Sequence, residues 1–310
     1  MENSPLVSIA VITYNSSKYV LETLESIKAQ TYQNLELIVS DDCSTDNTVA
    51  LCKDWIHSNQ SRFVRTVLLE SPVNTGVSGN GNRARNACNG EWIKGIAGDD
   101  LLMPHCIKTY IEYVERYPGT FFIFSRIKPF GVDEETIRVF ETQVFDYSFF
   151  ALSAKQQHDS LVYKGTCIPA PTFFYNSQRM KYLGVRNDER IPMLEDGPKW
   201  INITEKGDKL DFIDDYLVKY RLSPNSLSFG LPSRSFYESS RRYYLLYKYP
   251  LLYQKDKEAA IDALVNAELK MYDKFKEYYE LYYKTQKSYT HIVGKVVLWP
   301  VKQIAKLFNK

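Results

Sequence analysis

The chain has 310 residues, 39 basic against 37 acidic side chains, a formal charge of +2, 44% hydrophobic residues and 24 tyrosines. That apolar fraction supports a folded core and excludes a disordered polyelectrolyte, and the balanced charge argues against a protein whose main partner is nucleic acid. Five scattered cysteines without a CxxC argue against a disulfide framework or a zinc site, and no apolar run is long enough to span a bilayer.

The length suits about two domains, or one large α/β domain with an appendage. The first residues, Met1-Glu-Asn-Ser-Pro5, lack a basic and apolar leader, so the expected location is cytoplasmic, with membrane contact only at the surface. Short β-branched runs alternate with helical patterns through the first 130 residues, which predicts a mostly parallel sheet with crossover helices. Leu6 to Thr13 reads as a strand, followed by a helix from Lys18 to Gln30 with Val20, Leu24 and Ile27 on one face. Leu35 to Ser40 is the second strand, and a helix through Leu51, Trp55 and Ile56 follows the capping candidates Ser44 and Thr45. Phe63 to Leu69 is the third strand, and the Gly/Asn-rich run from Asn74 to Asn82 leads into a helix. Trp92 to Ala97 is the fourth strand, Pro104 opens a helix, and Phe121 to Ile127 is the fifth strand.

From Lys128 to Gly165 the periodicity is lost. Cys167 to Tyr175 then resumes as a strand, with a short helix from Ser177 to Leu183, a loop carrying Glu195 and Asp196, and a strand from Asp211 to Tyr220. From Ser233 onward the sequence is helical, holding 12 of the 24 tyrosines between Tyr237 and Tyr289.

In open α/β sheets, ligands sit at the carboxyl ends of the strands. Here those ends read Thr13-Tyr14-Asn15, Asp41-Asp42 and Gly98-Asp99-Asp100, and the Gly/Asn-rich run should join them on one rim. The Asp99-Asp100 pair suits a hard divalent cation, Mg²⁺ or Mn²⁺, which takes one or two carboxylates plus substrate phosphates. Arg83 and Arg85 suit phosphate. Gly79, Gly81 and Ala84 fit G-x-G-x-x-A, but they lie beyond the third strand rather than in the first tight turn, which argues against a dinucleotide site. His105 reads as a helix-start residue.

The runs Val7-Ser-Ile-Ala-Val-Ile-Thr-Tyr-Asn15, Lys28-Ala-Gln-Thr-Tyr32, Glu36-Leu-Ile-Val-Ser-Asp-Asp-Cys-Ser-Thr-Asp46, Asn74-x-Gly76, Ala84-Arg-Asn86 and Gly98-Asp-Asp100 with Pro104 are similar to those of the inverting family-2 glycosyltransferases. The resemblance covers roughly residues 5 to 130 and continues more weakly to Ser228. It implies a GT-A fold: an α/β, Rossmann-type, mostly parallel sheet flanked by helices, here with a C-terminal helical extension. Residues 1–230 would be the catalytic domain, with 1–127 its nucleotide-sugar half and 128–230 its acceptor half. Residues 231–310 would be a tyrosine-rich helical region.

The resemblance further implies that Tyr14 stacks on the nucleotide base and that Asp42 accepts from the base's imide edge, which favours a UDP-sugar. Thr13, Asn15 and Gly76 would complete the donor site. Asp100 would be the direct ligand of Mn²⁺ or Mg²⁺, with Asp99 beside it facing ribose or donor sugar; Gly98 stands where the family often has a third acid. Asp196, supported by Glu195, matches the family's general base. Arg221 resembles a late arginine that closes over the diphosphate, with Ser223 where a histidine often follows. The acceptor would be a saccharide or lipid-linked saccharide hydroxyl, in bacterial surface-polysaccharide synthesis. A sugar-1-phosphate nucleotidyltransferase should carry a Gly-rich phosphate loop with a lysine after the first strand, which Thr13-Tyr14-Asn15 lacks. A non-catalytic sugar-nucleotide binding module remains the other alternative.

Residues 281–310 hold six lysines and no acid, leaving 33 basic against 37 acidic groups in the preceding 280 residues. At 100° per residue, Val297, Val301, Ile304 and Phe308 fall within about 60° of arc, opposite Lys295, Lys302, Lys306 and Lys310. Such a helix suits an anionic membrane surface at the cell membrane's inner face, or docking on its own domain or a second copy.

Overall fold

The computed structural model describes residues 4–143, 145–164, 168–222 and 234–285. The basic segment 295–310, Cys167 and Ser223 lie outside the described residues. Strand β1 (Val7–Thr13), helix α1 (Val20–Lys28), β2 (Leu35–Asp41), α2 (Thr48–Asn59), β3 (Arg65–Glu70), α3 (Gly76–Asn86) and β4 (Trp92–Ala97) follow the predicted alternation. Then come β5 (Leu101–Leu102), α4 (Cys106–Arg116), β6 (Phe122–Phe130), α5 (Glu134–Gln143), α6 (Ala154–Asp159), β7 (Phe174–Asn176), α7 (Ser177–Tyr182), α8 (Asp196–Glu205) and β8 (Asp211–Arg221). Helices α9 (Arg234–Tyr243), α10 (Tyr249–Lys255) and α11 (Lys257–Thr285) complete the described chain. No helix among the described residues is long and apolar enough to cross a membrane.

The eight strands form one sheet in the order β3-β2-β1-β4-β7-β6-β8-β5. It is mixed but mostly parallel, with six of the eight strands pointing the same way. β3, β2, β1 and β4 run parallel because helical crossovers join them, whereas β7 lies antiparallel between β4 and β6, and β5 antiparallel to β8. Both faces are covered: Val7, Ile9 and Val11 of β1 enter one apolar layer with Leu24 and Ile27 of α1, and Ala10 enters the other with Phe124, Phe173 and Trp200. A fully buried Leu or Ile of this kind contributes roughly 2 kcal/mol.

The predicted strand from Cys167 is shorter than expected. Pro169 and Pro171 have no N–H to give a ladder, so Ala170–Thr172 is a 3₁₀ turn and pairing begins only at Phe174. The Gly/Asn-rich run is helical from Gly76 onward rather than an extended loop.

β4 and β5 are four strand spacings apart in the sheet, about 19 Å if it were flat, yet the link from Ala97 to Leu101 reaches only about 14 Å. The sheet must therefore curl into a half-barrel. The Asp99-Asp100 turn spans its mouth, and Leu101 pairs with Lys219 on the far side.

Candidate active site

Thr13 is the hub of the rim. Its carbonyl accepts from Asp42 N at 3.0 Å and from Asn80 Nδ2 at 3.1 Å, and its hydroxyl donates to Asp41 Oδ2 at 2.8 Å. Gly98 donates its N–H to Ile12 O at 2.9 Å, and a Cβ there would lie 2.8 Å from Thr13 Cγ2, so a side chain at this position would force Thr13 to shift. Asn15 takes a left-handed φ of 49°, its Oδ1 accepting from Thr45 N at 2.8 Å, which locks the loop after β1 to the loop after β2. Tyr14, between them, is 51% exposed, an aromatic face open to a stacking partner.

Asp42 is buried and its carboxylate is largely engaged. Oδ1 accepts from Thr75 Oγ1 at 2.6 Å and Arg83 Nη2 at 2.8 Å, and Oδ2 accepts from Thr75 N at 2.9 Å. Arg83 also donates to Ser40 Oγ and Asn80 Oδ1, both at 3.0 Å, so it braces Asp42 rather than standing open to a phosphate. Arg85 leaves the rim altogether, donating to Val185 O at 2.7 Å. Beside the Asp42 brace, a cavity of about 520 Å³ is lined by Leu69, Thr75, Arg83 and Asn86 among others.

Asp99 and Asp100 form the turn across the mouth, with Asp100 only 2% exposed. Burial, and for Asp100 also the neighbouring Asp99 charge, push both carboxyls above the ordinary carboxylate range. The buried Lys94 of β4, itself pushed down to about 8 by desolvation, offsets Asp100 only in part. The turn is held by Arg221: its N–H donates to Asp100 Oδ1 at 2.8 Å and its Nε to Asp99 O at 2.9 Å. The same guanidinium pairs with Glu22 at 2.7 Å and lies 4.1 Å from the Tyr19 ring centroid and 4.4 Å from that of Phe130. Arg221 thus serves the turn in this conformation, and its fork is not presented to a diphosphate.

Among the described residues no group of three His, Cys, Asp or Glu side chains converges as a metal cage. The Asp99-Asp100 pair still fits Mg²⁺ or Mn²⁺: hard oxygen donors, excess buried negative charge and one or two carboxylates match a cation that completes its shell with substrate phosphate and water.

Glu195 immediately precedes α8, at its N-cap position and without a side-chain capping hydrogen bond, and Asp196 is the first residue of the helix. α3 carries their loop to the donor half. Ser78 Oγ donates to Ile191 O at 2.6 Å, Ser78 N donates to Pro192 O at 3.2 Å, and Gly76, with φ 73°, would place a Cβ 2.7 Å from that of Pro192. Asp196 accepts from Lys199 Nζ at 3.4 Å. Glu195 is pushed from the ordinary 4.5 up to about 7 by burial and then by the adjacent Asp196 charge. Between those two pH values the folded protein holds a proton that the unfolded chain has lost, so the Glu195 contribution to stability falls as pH rises across that window. Glu195→Gln should therefore lose less thermal stability than wild type between pH 5 and pH 8 in a fluorescence melt; equal losses would contradict this.

Thr75, Ser78, Asn80 and Lys94 escaped the sequence reading. A charged Lys94 inside the apolar run Trp92–Ala97, and asparagines at 80, 82 and 86 inside a helix that disfavours them, were the available signals. His105 stands at the N-terminus of α4 as expected, with its Nε2 3.4 Å from Asp215.

The profile of Glycosyl transferase family 2 matches residues 8–179. The UDP-Glc:alpha-D-GlcNAc-diphosphoundecaprenol beta-1,3-glucosyltransferase WfaP of Escherichia coli is 26% identical over 226 residues, covering 72% of this chain and 80% of that one. Staphylococcus aureus TarS 1–349 in complex with UDP-GlcNAc superposes with a TM-score of 0.60 at 20% identity, over 76% of this chain and 64% of that one. The mannosyltransferase PcManGT of Pyrobaculum calidifontis, in complex with GDP-Man and Mn²⁺, gives 0.55 at 16% identity, over 86% of this chain and 70% of that one. With the half-barrel sheet, the acidic turn across its mouth and a profile match over more than half its length, the chain belongs to glycosyl transferase family 2 and is a glycosyltransferase of the GT-A fold.

Proposed function

We propose that the chain transfers a sugar, with inversion, from a UDP-linked donor to a hydroxyl of a saccharide or lipid-linked saccharide, in the synthesis of a bacterial surface polysaccharide. The observation that carries this reading is the continuity of the rim: α3 begins at Thr75 on Asp42 and, within four residues, grips the loop of Glu195 and Asp196 through Ser78. Donor recognition and a candidate base share one rigid element.

Tyr14 stacks on the base. A carboxylate has about four acceptor positions, and Asp42 uses three, leaving one on Oδ2. Uracil offers a single imide N–H to match it, whereas guanine's corresponding edge offers two donors, which disfavours a GDP-sugar such as PcManGT holds. Asp100, with Asp99, would hold Mg²⁺ or Mn²⁺, which would supply positive charge to the diphosphate leaving group. Asp196 takes the proton from the acceptor hydroxyl as that oxygen attacks the anomeric carbon, and the bond to the diphosphate breaks. Glu195, buried beside Asp196 and holding its proton more tightly than an ordinary carboxyl, supports Asp196. An undecaprenyl-diphosphate saccharide, the acceptor in the name of WfaP, is the lipid-linked class proposed here.

A thermal-shift panel tests the donor. At a hundredfold excess over Kd a bound nucleotide adds about 2.7 kcal/mol, a shift of several degrees for a chain of this size. UDP or a UDP-sugar with Mn²⁺ or Mg²⁺ should give that shift and GDP a smaller one. The reverse order would overturn the uracil assignment.

A further inference from the structure

We propose that Tyr243, on helix α9, positions the Glu195-Asp196 turn for proton abstraction, so that the C-terminal helices complete the active site. This inference rests on the base assignment of the proposed function. It comes from residues 234–247, which lie beyond the family match at 8–179.

The loop from Asn187 to Gly197 is held from two sides. On the inner side, Ser78 grips Ile191 and Pro192, and Asn82 Oδ1 accepts from Asn187 N at 3.1 Å. On the outer side, Ser239 Oγ accepts from Met193 N at 3.3 Å, Arg242 Nη1 donates to Arg190 O at 2.8 Å, and the Tyr247 hydroxyl donates to Asp188 Oδ2 at 2.8 Å. Ser239, Arg242 and Tyr243 share one face of α9, being three and four residues apart. Ser239 is 1% exposed, so this face is packed rather than resting loosely on the loop.

Gly197 locates the contact closest to the candidate base. A Cβ there would stand 2.6 Å from Tyr243 Cζ and 2.8 Å from its hydroxyl oxygen. Gly197 has no left-handed φ, so its backbone would accept alanine; what demands glycine is the tyrosine ring lying against the first turn of α8. That turn begins with Asp196. A base must be held within about 0.5 Å of its productive position, and a misplacement of 1 Å costs about 10²-fold. Met193 and Gly197 bracket Glu195 and Asp196, and α9 contacts both ends of the bracket. Without the ring, the turn keeps its hold on α3 at Ile191 and Pro192 but loses the wall that fixes its far end.

The test uses the full chain, with UDP-glucose and UDP-GlcNAc as donors, water as acceptor and UDP calorimetry as the binding control. Tyr243→Ala should lower kcat by roughly 30- to 100-fold, with the KM for donor and the UDP affinity within about threefold of wild type. Tyr243→Phe, which keeps the ring, should recover kcat to within about threefold. In an Asp196→Asn background, Tyr243→Ala should add no further loss, because it acts through that carboxylate. Gly197→Ala, which displaces the ring, should reproduce the kcat loss and serves as the probe if Tyr243→Ala does not fold. A folded Tyr243→Ala or Gly197→Ala with kcat within twofold of wild type would overturn the proposal, as would a full multiplicative loss on top of Asp196→Asn. The two readings fail differently: wild-type turnover by Asp196→Asn removes the base assignment itself, whereas an inactive Asp196→Asn beside an active Tyr243→Ala removes only the role of the ring.

Discussion

Asp100→Asn is expected to cut transfer by about 10³-fold while leaving the thermal midpoint in EDTA unchanged or higher. The activity loss follows from the cation proposed for this turn. Neutralising a diphosphate leaving group is worth several kcal/mol, and about 4 kcal/mol corresponds to three decades of rate. The stability gain follows from burial. Asp100 is 2% exposed, stands beside the Asp99 charge with only partial compensation from Lys94, and its carboxylate makes one backbone contact, accepting from Arg221 N at 2.8 Å, that an asparagine Oδ1 can keep. Replacing a desolvated carboxylate with a neutral isostere that preserves the hydrogen bond removes a cost without removing a partner. The two readouts should therefore move in opposite directions. Donor turnover with Mn²⁺ and a melt at pH 8 in EDTA check them; full activity, or a melt several degrees lower, would contradict the role given to this turn.

The sequence made the donor half of the fold legible because its signals are local. Alternating apolar runs and helical periods place β1, α1, β2 and β4 within one or two residues, and Trp92–Ala97 matches at both ends. The acid pairs were legible because a strand end followed by aspartates is itself a chain-local pattern. Long-range partners were not. Arg83, Arg85 and Arg221 have the right chemistry for phosphate, yet each guanidinium meets an oxygen distant in sequence: Asp42, Val185 and Asp99. Arginine type predicts what a side chain can bind, and only the packing decides whether its fork is already occupied. The Pro169 and Pro171 interruption was readable in principle and was outweighed by the apolar character around it. The grip of α9 on the Asn187–Gly197 loop could not be read at all, since it joins residues more than 40 apart through a serine and a glycine with no motif of their own.

Asp196→Asn carries the second large expected effect, a loss of about 10²- to 10⁴-fold in turnover with UDP affinity retained. Asp196 is half-buried at the start of α8, paired with Lys199 at 3.4 Å, on a different element from the Asp42 brace and the Asp99-Asp100 turn that are assigned to the donor. Its removal should therefore leave donor binding alone and stop proton removal. Glu195→Gln should be milder, because in the proposed mechanism Glu195 supports the base and does not itself take the proton.

The central claim is a single displacement assisted by Asp196. Proton NMR of the sugar released from a UDP-α-sugar, recorded in the first turnovers before mutarotation, reads both the rate and the anomer. Wild type should release the β-anomer, and Asp196→Asn, saturated with donor, should release it at least a hundredfold more slowly. Release of the α-anomer, or of the β-anomer at the wild-type rate by Asp196→Asn, would contradict the account.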